Sequence, residues 1–250
     1  MRRLLPILLL ALAPFSANAA EVSVMPEKDA NAVVVELFTS QGCSSCPPAQ
    51  EFLRDLSRRP GVLTLEYHVD YWDQLKTWTG GSWKDVFSDA LWTERQVAYN
   101  KRIMESDRAF TPETVIDGRF QSVGSAKSEI NAHIEEARTL KRRKFALSPT
   151  IAADGKMSVT VEGVAIKEPA QVVLLRLVKD AAIEVKGGEN KGETMKSHNV
   201  VRESMVIGTW TGGKKSYDFT LARFAAGEGC AVLLQDPETM QIYAGGLCLM

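Results

Sequence analysis

Cys43 and Cys46, separated by two residues in the run Gly42-Cys43-Ser44-Ser45-Cys46-Pro47-Pro48, are best placed by type and spacing to do chemistry. Thiols at this spacing can open and close a disulfide. A thiolate at a helix start is stabilised by unpaired backbone amides, which lower its pKa from about 8.5 to as little as roughly 3.5. In that setting Cys43 is the exposed nucleophile and Cys46, inside the helix, the resolving thiol. The same pair also admits an inert disulfide or half of a zinc site. A structural zinc needs four ligands, and no second Cys pair stands at metal spacing, so no metal site is assigned. Copper delivery needs further soft or imidazole ligands, and three His and eight scattered Met give little support for it.

The elements that must position this motif are readable around it. Residues 32–38 form an apolar run interrupted by Glu36, the pattern of a strand buried on both faces. Residues 39–42 make a turn. Pro47 and Pro48 are tolerated at a helix start, and residues 49–56 place Phe52, Leu53 and Leu56 on one face. Pro60-Gly61 ends the helix and residues 62–69 return as a second strand, a βαβ unit with a right-handed crossover. Sites in open α/β sheets lie beyond the carboxyl ends of the strands, where both the Cys motif and Asp70-Tyr71-Trp72-Asp73 fall. Trp72 and Tyr71 are candidates to line a substrate groove there, or to pack under the next helix.

That helix is expected over residues 84–104, with Val86, Ala90, Leu91, Val97 and Ile103 on its buried side. Arg95 and Tyr99, at i and i+4, read as a surface pair. Thr111-Pro112 breaks the pattern. Residues 113–116 and 119–123 form a hairpin around Asp117-Gly118, and a helix capped by Ser125 runs to about residue 143.

From residue 145 the character changes to short β-rich segments separated by Gly, Asp-Gly and Asp-Pro turns, which argues for a small sandwich-like β domain. Cys230 and Cys248 flank an expected hairpin turning near Asp236-Pro237. A structural disulfide is the default for such a pair in an exported protein, with a slip or bulge at Gly245-Gly246 to bring the two opposite.

Export is expected from the N-terminus. Arg2-Arg3, an apolar core from Leu4 to Leu12 and Ala17-Asn18-Ala19 have the order of a signal peptide cleaved after residue 19. The apolar core is shorter than the roughly 20 residues a membrane span needs, so no stable membrane anchor is expected after cleavage. Residues 20–31 read as flexible, and the expected location is periplasmic or secreted. The whole chain has 30 basic and 31 acidic residues, and the Lys141-Arg142-Arg143-Lys144 cluster suits a helix C-terminus. Nucleic acid is therefore not an expected partner.

Residues 33–143 resemble the thioredoxin superfamily through the first strand, the Cys43–Cys46 motif and the Phe110-Thr111-Pro112 to Asp117-Gly118 segment. The resemblance implies a thioredoxin-like β-α-β-α-β-β-α fold over residues 32–144, followed by the β-rich domain at 145–250. It implies that Pro112 is a cis-proline beside the Cys pair, where Thr111-Pro112 holds substrate backbone. It also implies that Glu36 is the buried acid moving a proton to or from the resolving Cys. More closely, the chain is similar to an exported bacterial family, domain of unknown function 1223. The similarity runs through Glu36-Leu37-Phe38-Thr39-Ser40-Gln41-Gly42 and the Cys motif, His68-Val69-Asp70-Tyr71-Trp72-Asp73, Arg95-Gln96, Tyr99 and Thr111-Pro112. It continues in Gly188-Glu189-Asn190 through His198 to Arg202. The loop at 76–82 is longer than that family's pattern. The function expected is an exported thiol–disulfide oxidoreductase. It acts on a protein or small-molecule thiol or disulfide, uses a redox partner and needs no cofactor. The other reading is a binding module with an inert disulfide.

Overall fold

The computed structural model describes residues 32–76, 81–141, 145–152, 156–220 and 224–248. The expected signal peptide, the segment 20–31 and residues 77–80 of the long loop lie outside these residues.

β1 (Val33–Thr39) is buried along its whole length, as a strand with neighbours on both sides and layers on both faces must be. It pairs in parallel with β2 (Val62–His68) and antiparallel with β3 (Glu113–Ile116). β4 (Phe120–Val123) completes a hairpin with β3, turning at Asp117 and Gly118. α1 (Pro47–Leu56) and α3 (Lys127–Lys141) cover one face, where Phe52, Leu53, Ile130 and Ile134 pack on Val33, Val35 and Leu37. α2 (Ala90–Ile103) covers the other, with Trp92 and Tyr99 against Val34, Phe38 and Tyr67. The order over this half is β-α-β-α-β-β-α, as expected.

α2 starts six residues later than its periodicity suggests. Asp85 is committed to buried hydrogen bonds that hold residues 84–89 irregular, and Asp89 caps the helix by accepting from Leu91 N at 2.9 Å. Val86 and Leu91, expected inside, are exposed, and the buried positions are Trp92, Gln96, Tyr99 and Asn100.

The β-rich half does not close on itself. β7 (Ala170–Glu184) and β8 (Thr194–Trp210) form a long hairpin, and β8 meets β2 in parallel at Val200 and Glu66. β10 (Glu228–Gln235) and β11 (Ile242–Leu247) extend it, giving one eight-stranded sheet ordered β11-β10-β7-β8-β2-β1-β3-β4. β5 (Phe145–Ile151), β6 (Lys156–Gly163) and β9 (Gly213–Thr220) form a separate three-stranded sheet. The reason lies in β7 and β10, whose alternate residues are apolar on both faces. Val172, Leu174, Val232 and Leu234 pack under the small sheet, while Val173, Leu175 and Leu233 join the core beneath α2. Pairing β8 to β2 also removes an open sheet edge.

Cys230 and Cys248 are bonded, with Cα atoms 5.2 Å apart and both residues in the apolar cluster under the small sheet. They face each other without a slip at Gly245-Gly246; the irregularity lies between Leu234 and Gln235. No helix among the described residues is long and apolar enough to cross a membrane.

Candidate functional site

The Cys motif sits where β1 ends and α1 begins. Cys43 N–H donates to Ser40 O at 3.2 Å, closing the turn, and Cys46 is the N-cap of α1 with no side-chain cap of its own. The two residues form a disulfide with Cα atoms 5.5 Å apart. Both are fully buried, while Ser44 and Ser45 between them are exposed. Cys43 is thus not the exposed residue the sequence suggests.

Three predicted residues assemble around it. The Thr111–Pro112 bond is cis, and Thr111 O lies 3.9 Å from Cys43 Sγ and accepts from Ser45 Oγ at 3.4 Å. Trp72 Nε1 donates to Thr111 Oγ1 at 2.7 Å, which fixes the indole beside the motif. Gly124 permits the closeness: a Cβ there would lie 2.8 Å from Pro112 Cβ and 3.0 Å from both Ala49 and Leu37. Next to Pro112, burial pushes Glu113 up to about 7, although amide groups of Gln96 and Asn100 donate to it.

Glu36 is not part of this assembly. Leu37 points to the α1 face near Pro112 and Ala49, so Glu36 points to the opposite face of the sheet. There Arg95 donates to its Oε1 at 2.9 Å and Tyr99 to its Oε2 at 2.5 Å. Arg95 also stacks between Tyr67 and Tyr99 and reaches Gln235 of β10. Arg95 and Tyr99 are therefore no surface pair. They tie α2, β1 and β10 together, and burial of Tyr99 pushes its phenol well above its ordinary value.

The buried acids on the α1 face come from elsewhere. Gln50, one turn after Cys46, donates to Glu66 Oε1 at 2.6 Å. His68 Nε2 meets the same oxygen at 2.8 Å, and its Nδ1 meets Asp85 Oδ2 at 2.6 Å. Burial alone would push His68 down. The carboxylates of Asp85 and Glu66 outweigh it and hold the imidazole at about 10, so both ring nitrogens donate. Burial would likewise raise Asp85, but His68 and the amides of Gln41 and Phe87 bring it below its ordinary value. Gln41 N–H donates to Asp85 Oδ2 at 2.7 Å, which links the cluster to the turn before Cys43.

The loop at 185–193, between β7 and β8, closes over the motif. Asn190 Nδ2 donates to Gln41 O at 3.0 Å and Cys43 O at 2.8 Å. Glu189 Oε2 accepts from Ser44 N at 2.9 Å and Ser44 Oγ at 2.7 Å.

The family described as protein of unknown function (DUF1223) matches residues 34–235. The chain belongs to this family. The DUF1223 match includes the Cys motif, Pro112 and the 185–193 loop, and stops before Cys248. The DUF1223 chain is similar to the crystal structure of protein AGR_C_4864 from Agrobacterium tumefaciens. The two share 27% identity at a TM-score of 0.68, covering 87% of this chain and 93% of that one. It also shares its fold with HBP35 of Porphyromonas gingivalis, at 14% identity and a TM-score of 0.60, covering 87% and 74%. No curated protein matches it significantly.

Sequence reasoning did not single out Gln50, Glu66 or Asp85, and it named Glu189 and Asn190 only within the family resemblance, with no role. One signal was present: Glu66 and His68 stand at i and i+2 in an apolar strand, and such spacing puts both on one face.

Proposed function

We propose that the protein is a thiol–disulfide oxidoreductase of thioredoxin-like architecture, exported through its N-terminal segment. The observation that carries this reading is a Cys43–Cys46 disulfide at the strand-to-helix junction, faced by the Thr111 carbonyl of a cis-proline segment at 3.9 Å. The sheet order β2-β1-β3-β4, with α1 and α3 on one face and α2 on the other, supports the architecture.

In the reaction, the Cys43 thiolate attacks one sulfur of a partner disulfide, and the partner's other sulfur leaves as a thiolate and takes a proton. Cys46 then attacks Cys43 Sγ, closing the intramolecular disulfide and releasing the second partner thiolate. Two electrons pass to the partner in this sense, and the reverse exchange runs through the same mixed disulfide with a dithiol partner. Thr111, Pro112 and Trp72 hold the substrate strand. The carboxylate nearest in the fold to take up the Cys46 proton is Glu66, which Gln50 orients by donating to it, since Glu36 faces away and is engaged by Arg95 and Tyr99.

A second reading, an accessory binding module with a static disulfide, is favoured by the complete burial of both cysteines. Equilibration of the purified protein with glutathione buffers separates the two. The oxidoreductase reading expects a reversible two-electron couple above about −300 mV that vanishes in Cys43→Ser/Cys46→Ser. A potential below that value favours the static disulfide.

A further inference from the structure

The 185–193 loop reaches the motif from a part of the chain about 145 residues away. Besides the Asn190 and Glu189 side-chain bonds, Glu189 N–H donates to Gly42 O at 3.3 Å. Gly188 makes the approach possible: its φ is +73°, and a Cβ there would lie 3.2 Å from Gly42 Cα and 3.3 Å from Trp83 Cβ. The contact has two parts. Asn190 is buried and neutral, whereas Glu189 and Ser44 are exposed, and exposed charged contacts are worth little individually.

The Ser44 amide is the first N–H after Cys43, so its bond to Glu189 sets a carboxylate one residue from the sulfur that ionises on reduction. While the disulfide is closed, Cys43 carries no charge and Glu189 holds that amide alone. Once the disulfide is reduced and Cys43 ionises, two like charges stand one residue apart and repel.

We propose that Glu189 is a redox-sensitive latch, which closes residues 185–193 over the oxidised pair and is released when Cys43 becomes a thiolate. This rests on the dithiol reading above and gives it a direction. A latch that favours the disulfide makes the couple more reducing, and the open dithiol is the form a partner can reach. The substrate class is therefore a disulfide. Its S–S bond breaks as Cys43–Cys46 forms, and two electrons and two protons leave the dithiol for the substrate sulfurs. A dithiol donor restores the pair in the reverse exchange.

The test compares wild-type protein with Glu189→Gln and Glu189→Ala, each checked for unchanged circular dichroism. Both variants should lower the Cys43 thiol pKa, read from the pH dependence of iodoacetamide alkylation, by about half a unit. Both should shift the equilibrium with glutathione about threefold toward the dithiol, a potential about 14 mV less negative. In the wild type, amide exchange at residues 187–190 should speed up on reduction, and this difference should shrink in the variants. Unchanged thiol pKa and equilibrium in both variants, beside a measurable wild-type couple, overturn the latch and leave the oxidoreductase standing. A wild type with no measurable couple overturns both.

Discussion

The two disulfides are both buried, yet they sit at different kinds of position. Cys230–Cys248 packs with Val232, Leu234, Ala244 and Trp210, and it borders a cavity that Lys179 and His198 also line. It joins β10 to the end of β11 across a separation of 18 residues. Cys43–Cys46 spans three residues at a helix start, with Cys43 Sγ facing the Thr111 carbonyl and the preceding turn tied through Gln41 to the Asp85–His68–Glu66 cluster. Burial alone therefore does not separate a structural bond from a reactive one. What separates them is place in the fold: one bond ties two strand ends together, and the other closes a four-residue turn at a helix start beside the Thr111 carbonyl.

The comparison breaks first if the apolar bond is not structural. Replacing both Cys230 and Cys248 with Ala should cost about 3 kcal/mol of stability in urea unfolding, the value expected for a closed loop of this size. The Cys43–Cys46 potential should stay unchanged. A variant that keeps its stability, or loses the first couple, would merge two sites that the structure keeps apart.

The second prediction concerns pH and is smaller. Despite the burial that pushes it down, His68 is held at about 10 by Asp85 and Glu66. A group raised above its unfolded value of about 6.5 contributes fully below that pH and loses its contribution as pH rises through the folded value. Between pH 7 and 9 the opening free energy at residues 41–46, from hydrogen exchange corrected for intrinsic rates, should fall by about 1–2 kcal/mol. Residues 230–235, on a strand three places from β2 in the sheet, should change less. Equal slopes in the two regions would show that the His68 cluster does not serve the Cys43 end.

Local features of the site were legible in the sequence. The apolar run before the Cys motif and the two prolines after it set a strand and a helix without help from distant residues. Pro112 was legible through family resemblance. Glu36 was misplaced by a single residue: strand alternation turns Leu37, and not Glu36, toward α1, and one position decides the face. Arg95 looked like a surface residue because its partners, Glu36 and Gln235, come from β1 and β10. The 185–193 loop was visible only as a familiar string, since its docking depends on β8 joining β2. The same pairing dissolved the expected separate β domain into a shared sheet, which neither half announces alone.

The most direct test of the central claim is covalent capture. With Cys46→Ser, Cys43 can attack a partner disulfide but nothing inside the protein can resolve the product. Mixed disulfides should appear on non-reducing gels of cells producing this variant. They should collapse with dithiothreitol and be absent from Cys43→Ser/Cys46→Ser. A Cys46→Ser protein that stays monomeric with a free, unreactive Cys43 would contradict it.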